Sequence, residues 1–307
     1  MEVIGSRPNL VLGLAEGLDW AALRPFVESL AQTCFDGELH LFVAGVDDGT
    51  RRMLRRHGVQ LHSHRRLRFR INGRVFHAYD PPLRRFHSEH ITSLYPGAIR
   101  ALSVGRQGGR ARLAAAISVP YVARYFRYHR FLTDAASRYE NVMLTDVRDV
   151  FFQHDPFDFE IGSNVHCFLE DDRHTLGSEK FDRGWILTAY GNETLAEIGE
   201  KPISCSGITI GSSDAIAGYV RVMVSELLGL RDQYAGIDQG VHNYVVYKGL
   251  VPHARLVRNG DGAVFTVGLV PHGEIDAAID AGHLEHNVIH QYPHHARLKE
   301  RLLAKLA

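Results

Sequence analysis

Short apolar runs alternate with helically spaced segments from residue 9 to residue 62, and this alternation restricts the fold more than any other feature of the chain. Residues 9–14 form a compact apolar run, and residues 20–33 then show helical spacing through Leu23, Phe26, Val27 and Leu30. A second strand is expected at 39–44, a polar helix at 50–57 and a short third strand at 59–62. This β-α-β-α-β opening predicts a parallel, doubly wound α/β sheet. With 307 residues and 45% hydrophobic content, the chain is long enough to bury one full core.

The sheet continues at Asn141-Val142-Met143-Leu144-Thr145-Asp146-Val147-Arg148-Asp149-Val150-Phe151-Phe152. Here a short apolar strand stops at a pair of aspartates, and a second hydrophobic run follows. Ligands of open α/β sheets gather at the carboxyl ends of strands. Carboxylates there are costly to desolvate unless they meet a cation. Mg²⁺ or Mn²⁺, bridged onto a substrate diphosphate, would satisfy them. The plainer alternative is that Asp146 or Asp149 caps the next helix or pairs with Arg148.

Further strands are expected at 165–169, 207–210, 264–269 and 288–290, and helices at 119–137, 214–230, from Gly236 through Tyr247, and at the carboxyl terminus. From about 64 to 112 periodicity fails. Pro81-Pro82, Pro96-Gly97 and the run 105–109 suggest an inserted, partly flexible region.

That region is also the centre of a charge asymmetry hidden by a formal net charge of zero. Between Arg51 and Arg112 only Asp80 and Glu89 oppose the arginines, so the segment carries roughly +13 and the remainder roughly −13. Such a stretch suits an anionic membrane surface, a polyanionic glycan or a nucleic acid. The plainer account is a solvated arginine face paired with the acidic remainder of the same protein. No aromatic-interleaved RNA motif or helix-turn-helix accompanies it, so no nucleic-acid partner is expected. The three cysteines, Cys34, Cys167 and Cys205, form no CxxC pair and read as small buried hydrophobes. Without a leader pattern or a bilayer-length apolar run, the expected location is cytoplasmic, with room for peripheral contact at the inner membrane face.

Three acidic groups fall at strand ends or helix starts: Asp146 with Asp149, Glu170-Asp171-Asp172, and Asp238. If the strands are parallel they share one edge. Asp146 and Asp149 on a metal, completed by a distant histidine, make a coherent set. Among the 19 histidines His290 is best placed, at the end of an expected strand, as a ligand or a satisfied core residue. Asp238 with Gln239 either binds substrate hydroxyls or caps its helix. Arg124 and Arg127, three apart on a helix, are phosphate binders or surface charge. Cys205-Ser206-Gly207 permits close approach of a ligand to the backbone. Tyr95, Tyr121, Tyr125 and Trp185 could stack an acceptor, or belong to the core. No HExxH or Walker A sequence is present.

Taken in order, these landmarks resemble the GT-A fold glycosyltransferases that use nucleotide-diphospho-sugars, similar to the glycogenin-like and plant cell-wall enzymes with a DxD strand. The resemblance rests on the β-α-β start, the helix bearing Arg127, and Val142 to Asp149 followed by Asp155-Pro156-Phe157. Cys205 to Gly211, Gly236-Ile237-Asp238-Gln239 through Asn243-Tyr244, and Val288-Ile289-His290-Gln291-Tyr292 complete it. Here the signature is Asp-Val-Arg-Asp, one residue longer than DxD.

The resemblance implies a single GT-A-like catalytic domain over residues 1–307, with the basic insertion at about 64–112. It implies metal-dependent transfer, with Mn²⁺ or Mg²⁺, from a nucleotide-diphospho-sugar to a hydroxyl of a glycan or glycoconjugate. Asp149 and His290 would hold the metal, with Asp146 on metal or ribose and Arg127, helped by Arg124, on the diphosphate. Ser206, Gly207 and Gln239 would line the donor sugar, and Asp238 and Glu170 would be the carboxylates beside it. Two other classes remain: a non-catalytic module gripping a glycan or anionic polymer through residues 51–112, and a metal-dependent phosphohydrolase.

Overall fold

The apolar runs pair into one seven-stranded sheet. The computed structural model describes residues 7–65, 68–71, 74–77, 114–116, 118–230 and 235–306. Strands β1 (Asn9–Glu16), β2 (Gly37–Ala44) and β3 (Gln60–Ser63) run parallel, joined by helices α1 (Trp20–Ala31) and α2 (Asp48–Arg56). Asp19 and Asp47 cap these helices, accepting from the backbone of Ala22 and Thr50 at 2.9 Å each. After a hairpin of β4 (Arg68–Ile71) and β5 (Arg74–His77) comes helix α3 (Pro120–Ala135), with proline at its first position.

Next are β6 (Asn141–Thr145), β7 (Val150–Phe152), β8 (Val165–Leu169), α4 (Lys180–Ile198), β9 (Ser204–Ser212), α5 (Ser213–Gly229) and α6 (Ile237–Tyr247). The chain then runs through β10 (Ala254–Val257), β11 (Val264–Thr266), α7 (His272–Ala281), β12 (Val288–His290) and α8 (Ala296–Ala304). The large sheet has the order β10-β8-β9-β6-β1-β2-β3, with β11-β12-β7 as a smaller sheet beside it. Only β9 runs against its neighbours in the large sheet, antiparallel to both β6 and β8.

Both faces of the large sheet are covered. Leu10 and Leu12 of β1 face α3 and α5, packing with Val122, Phe126, Tyr219 and Val220. Val11, between them, faces the opposite layer with Phe26 of α1 and Phe152 of β7. This period-two division makes the central strands apolar throughout.

Several features differ from expectation. Helices α4 and α7 and strand β10 lie where no element was predicted. Gly191 interrupts α4 at φ 83°, and only Asp182, Ile186 and Ile198 are buried on it. The β4–β5 hairpin lies inside the segment where periodicity fails. Cys34 is exposed, whereas Cys167 and Cys205 are buried as expected. The expected flexibility of the basic insertion falls mostly outside the described residues. Among the described residues, no helix is long and apolar enough to cross a membrane.

Candidate active site

Strand direction assembles the site. Strands β6 and β8, on either side of β9, both end at one edge of the sheet, so Asp146 and Glu170 emerge there together. Antiparallel β9 starts at that edge and brings Ser204, Cys205, Ser206 and Gly207 to it. The Asp146 amide donates to the Gly207 carbonyl at 2.8 Å, tying the two strand ends together. In the small sheet β12 pairs with β7, placing His290 opposite Val150 and next to Asp149. The Gln291 amide donates to the Asp149 carbonyl at 2.8 Å, with Gln291 itself at φ 60°.

The ligand atoms of Asp146, Asp149 and His290 all lie within 4.8 Å of one another. His290 Nε2 stands 3.9 Å from Asp146 Oδ2 and 3.9 Å from Asp149 Oδ1, too far for a hydrogen bond to either. It is buried with no hydrogen-bond partner among the described residues. The other ring nitrogen, Nδ1, faces Cys205 Sγ at 3.7 Å. Gly207 leaves the room this needs: a Cβ there would stand 2.4 Å from His290 Cε1 and 2.9 Å from Asp146 Oδ2. Two carboxylates and an imidazole converging on one space are the donor set of a Mn²⁺- or Mg²⁺-class ion, so the residues fit the metal expected from sequence.

The electrostatics also fit a site for positive charge. Burial pushes the Asp149 carboxyl above its usual range despite His290 nearby. Burial opposes ionisation of Asp146 as well, but Arg124 and His290 outweigh it and hold that carboxyl low. Burial works against a charged His290, yet the surrounding carboxylates raise its pKa overall.

The two arginines of α3 separate. Arg124 is buried and donates to Asp146, to Asp238 Oδ2 at 2.7 Å and to the Ser206 carbonyl at 3.2 Å. It is therefore a bridge between two site carboxylates. Arg127, partly buried, donates to the Ala115 carbonyl at 2.9 Å. Asp238 makes no capping bond for α6; Gly236 occupies the cap at φ 85°. Burial raises the Asp238 carboxyl, with Arg124 opposing.

A second polar group adjoins this one, and its Asp182 was not expected from sequence. Gln239 Nε2 donates to Asp182 Oδ1 at 3.0 Å and to Glu170 Oε1 at 3.3 Å, while its Oε1 accepts from the Ser206 amide at 3.3 Å. Asp182, buried on α4, is pushed up to about 8, by burial first and also by the charges of Glu170 and Glu179. Glu170 is raised by burial too. No apolar stripe marks α4, so the signal for Asp182 was only an acid near a helix start. On the other flank of the aspartates, a cleft of about 530 Å³ runs between Glu16, Leu18, Tyr121, Asp149 and His294.

This architecture, an α/β fold with a mostly parallel sheet flanked by helices and acids at its carboxyl edge, is the GT-A fold. The chain is similar to the galactosyltransferase LgtC, solved in complex with donor and acceptor sugar analogues, at 13% identity and a TM-score of 0.50, over 96% of this chain and 94% of that one. An active-site mutant of LgtC matches at 13% identity and a TM-score of 0.50, over 96% and 95% of the two chains. At this identity the likeness is one of fold. No protein-family model and no curated protein sequence matches the chain.

Proposed function

We propose that this chain is a metal-dependent glycosyltransferase, moving a hexosyl or pentosyl group from a nucleotide-diphospho-sugar to a hydroxyl of a glycan or glycoconjugate. One observation carries the reading: Asp146, Asp149 and His290 meet within 4.8 Å at the sheet's carboxyl edge, around a buried imidazole nitrogen with no hydrogen-bond partner among the described residues. The donor and acceptor sugar analogues bound by LgtC on the same fold support it.

Asp146, Asp149 and His290 would hold the metal, assigning Asp146 to metal in preference to ribose because its carboxylate faces the same space. Bound Mn²⁺ or Mg²⁺ supplies positive charge for the departing diphosphate. Arg124 holds Asp146 and Asp238 in place, so the carboxylates need no reorganisation during reaction. Arg127, three residues along the same helix, is assigned to the diphosphate. The nucleoside is assigned to the cleft beside Glu16 and Tyr121.

Gly207 and Ser206 form the floor beneath the sugar, with Gln239, Asp238 and Glu170 around it. The acceptor oxygen bonds to the anomeric carbon as the bond from that carbon to the diphosphate oxygen breaks. The electron pair leaves with the diphosphate, and the hydroxyl proton passes to a site carboxylate or to the leaving phosphate. Asp149→Ala and His290→Ala are each expected to cut metal-dependent nucleoside-diphosphate release at least about a hundredfold. Full activity in either variant removes that residue from the mechanism. Turnover that proceeds equally well with water alone indicates a hydrolase.

A further inference from the structure

Helix α4 carries more than a buried acid. Phe181, next to Asp182 in its first turn, is 64% exposed, the most open large apolar side chain among the described residues. It is stacked on Trp185, with ring centroids 6.1 Å apart and planes inclined by 29°. Trp185 is fixed from below: its indole N–H donates to the Ala235 carbonyl at 3.1 Å. Its ring also lies where a Cβ on Gly236 would come within 2.0 Å. Gly236 immediately precedes α6, which carries Asp238 and Gln239. The shelf is thus anchored to the segment that carries two site residues, and Asp182 beside it bonds Gln239 at 3.0 Å.

We infer that Phe181 and Trp185 form the acceptor subsite, and that its occupant is the pyranose ring of a glycan. This rests on the transferase reading above. A pyranose offers an apolar C–H face bordered by hydroxyls. That chemistry calls for a rigid aromatic surface with hydrogen-bonding groups at its margin. Phe181 and Trp185 supply the surface; half-buried Gln239, held by the buried Asp182 and Glu170, supplies the margin. A ring stacked there directs a hydroxyl toward the carboxylates beside the donor sugar. Because Trp185 cannot move without losing its bond to Ala235, the shelf is ordered before the sugar arrives, which lowers the entropic cost of binding.

The chain has two tryptophans, Trp20 and Trp185. Trp20 stacks on His57, far from these residues in sequence and packed with the other face of the sheet, so Trp20→Phe leaves Trp185 as the only indole. The test titrates its fluorescence with lactose, cellobiose and maltose in the presence of Mn²⁺ and UDP or GDP. The expected result is a saturable change with at least one disaccharide. Adding Phe181→Ala should weaken that binding roughly tenfold, and Phe181→Tyr should restore it. The thermal midpoint of each variant checks folding, to which an exposed side chain contributes little.

Equal disaccharide affinity with and without Phe181→Ala overturns the inference. So does the absence of any saturable change in a protein that turns over a nucleotide-sugar, and in that case the transferase reading survives alone. A wild-type protein inert toward every nucleotide-sugar overturns both.

Discussion

Arg124 is the residue on which the electrostatics of the site turn. It is buried, it donates to Asp146 and Asp238, and it also reaches the Ser206 carbonyl, so three site elements depend on one guanidinium. Removing one partner of a buried ion pair leaves uncompensated charge behind, which costs more than the pair itself contributes. Arg124→Ala is therefore expected to destabilise the fold by about 3–5 kcal/mol, read from urea unfolding. Arg124→Lys keeps the charge but loses the planar fork that spans two carboxylates, and should recover only part of that loss. A near-neutral Arg124→Ala would show that the bridge is ornamental. From sequence, Arg124 was recognisable as a cation on a helix, but not its partners. Asp238 lies more than a hundred residues away, and pairing at that separation is set by packing. Asp149 and His290 were easier to single out, because Asp149 lies shortly after one short apolar strand and His290 closes another, and strand ends are where an α/β sheet collects its ligands.

At the level of elements, the buried parallel strands were legible because a short unbroken apolar run between polar turns fits little besides a strand covered on both faces. The direction of β9 was not. A strand buried on both faces has the same pattern whichever way it runs, yet its reversal is what brings Ser206 and Gly207 to the acidic edge. Helix α4 escaped for the opposite reason, having too little apolar periodicity to register. The β4–β5 hairpin did leave a signal, since Asn72-Gly73 stands between its strands and is a strong hairpin dipeptide. Helix α6 carries a prediction about pH. His242 is buried between Ser204 Oγ and the Tyr219 hydroxyl, at 2.8 Å from each, and burial, aided by Arg124, pushes its pKa down to about 3. Unfolded, it titrates near 6.5. Between those values the unfolded chain binds a proton that the folded chain refuses, so stability falls as the pH drops through this window. The slope from this one group is at most about 1.4 kcal/mol per pH unit. Urea midpoints taken from pH 7 to pH 5 should decline in the wild type and decline less in His242→Gln. Identical slopes in the two proteins would show that His242 does not set this dependence.

For the whole molecule, the charge asymmetry and the fold point to different surfaces. The described arginines of the basic stretch are partly engaged by their own fold: Arg51 donates to the Val46 carbonyl at 3.1 Å and to Ser63 Oγ at 2.9 Å. The acids, in contrast, converge where the sheet ends. If that convergence is a donor site, it binds a metal and a nucleotide-sugar together, and neither holds well without the other. Thermal stability reads this out, measured with Mn²⁺ and a panel of UDP- and GDP-sugars, each with and without metal, in the wild type and in Asp149→Ala. A ligand that binds only the folded state adds about 2.7 kcal/mol at a hundredfold excess over Kd. The expected outcome is a stabilisation by at least one nucleotide-sugar that requires the metal and disappears in Asp149→Ala. No stabilisation by any of them in the folded protein, or one indifferent to both metal and Asp149, would refute metal-dependent donor binding at this edge.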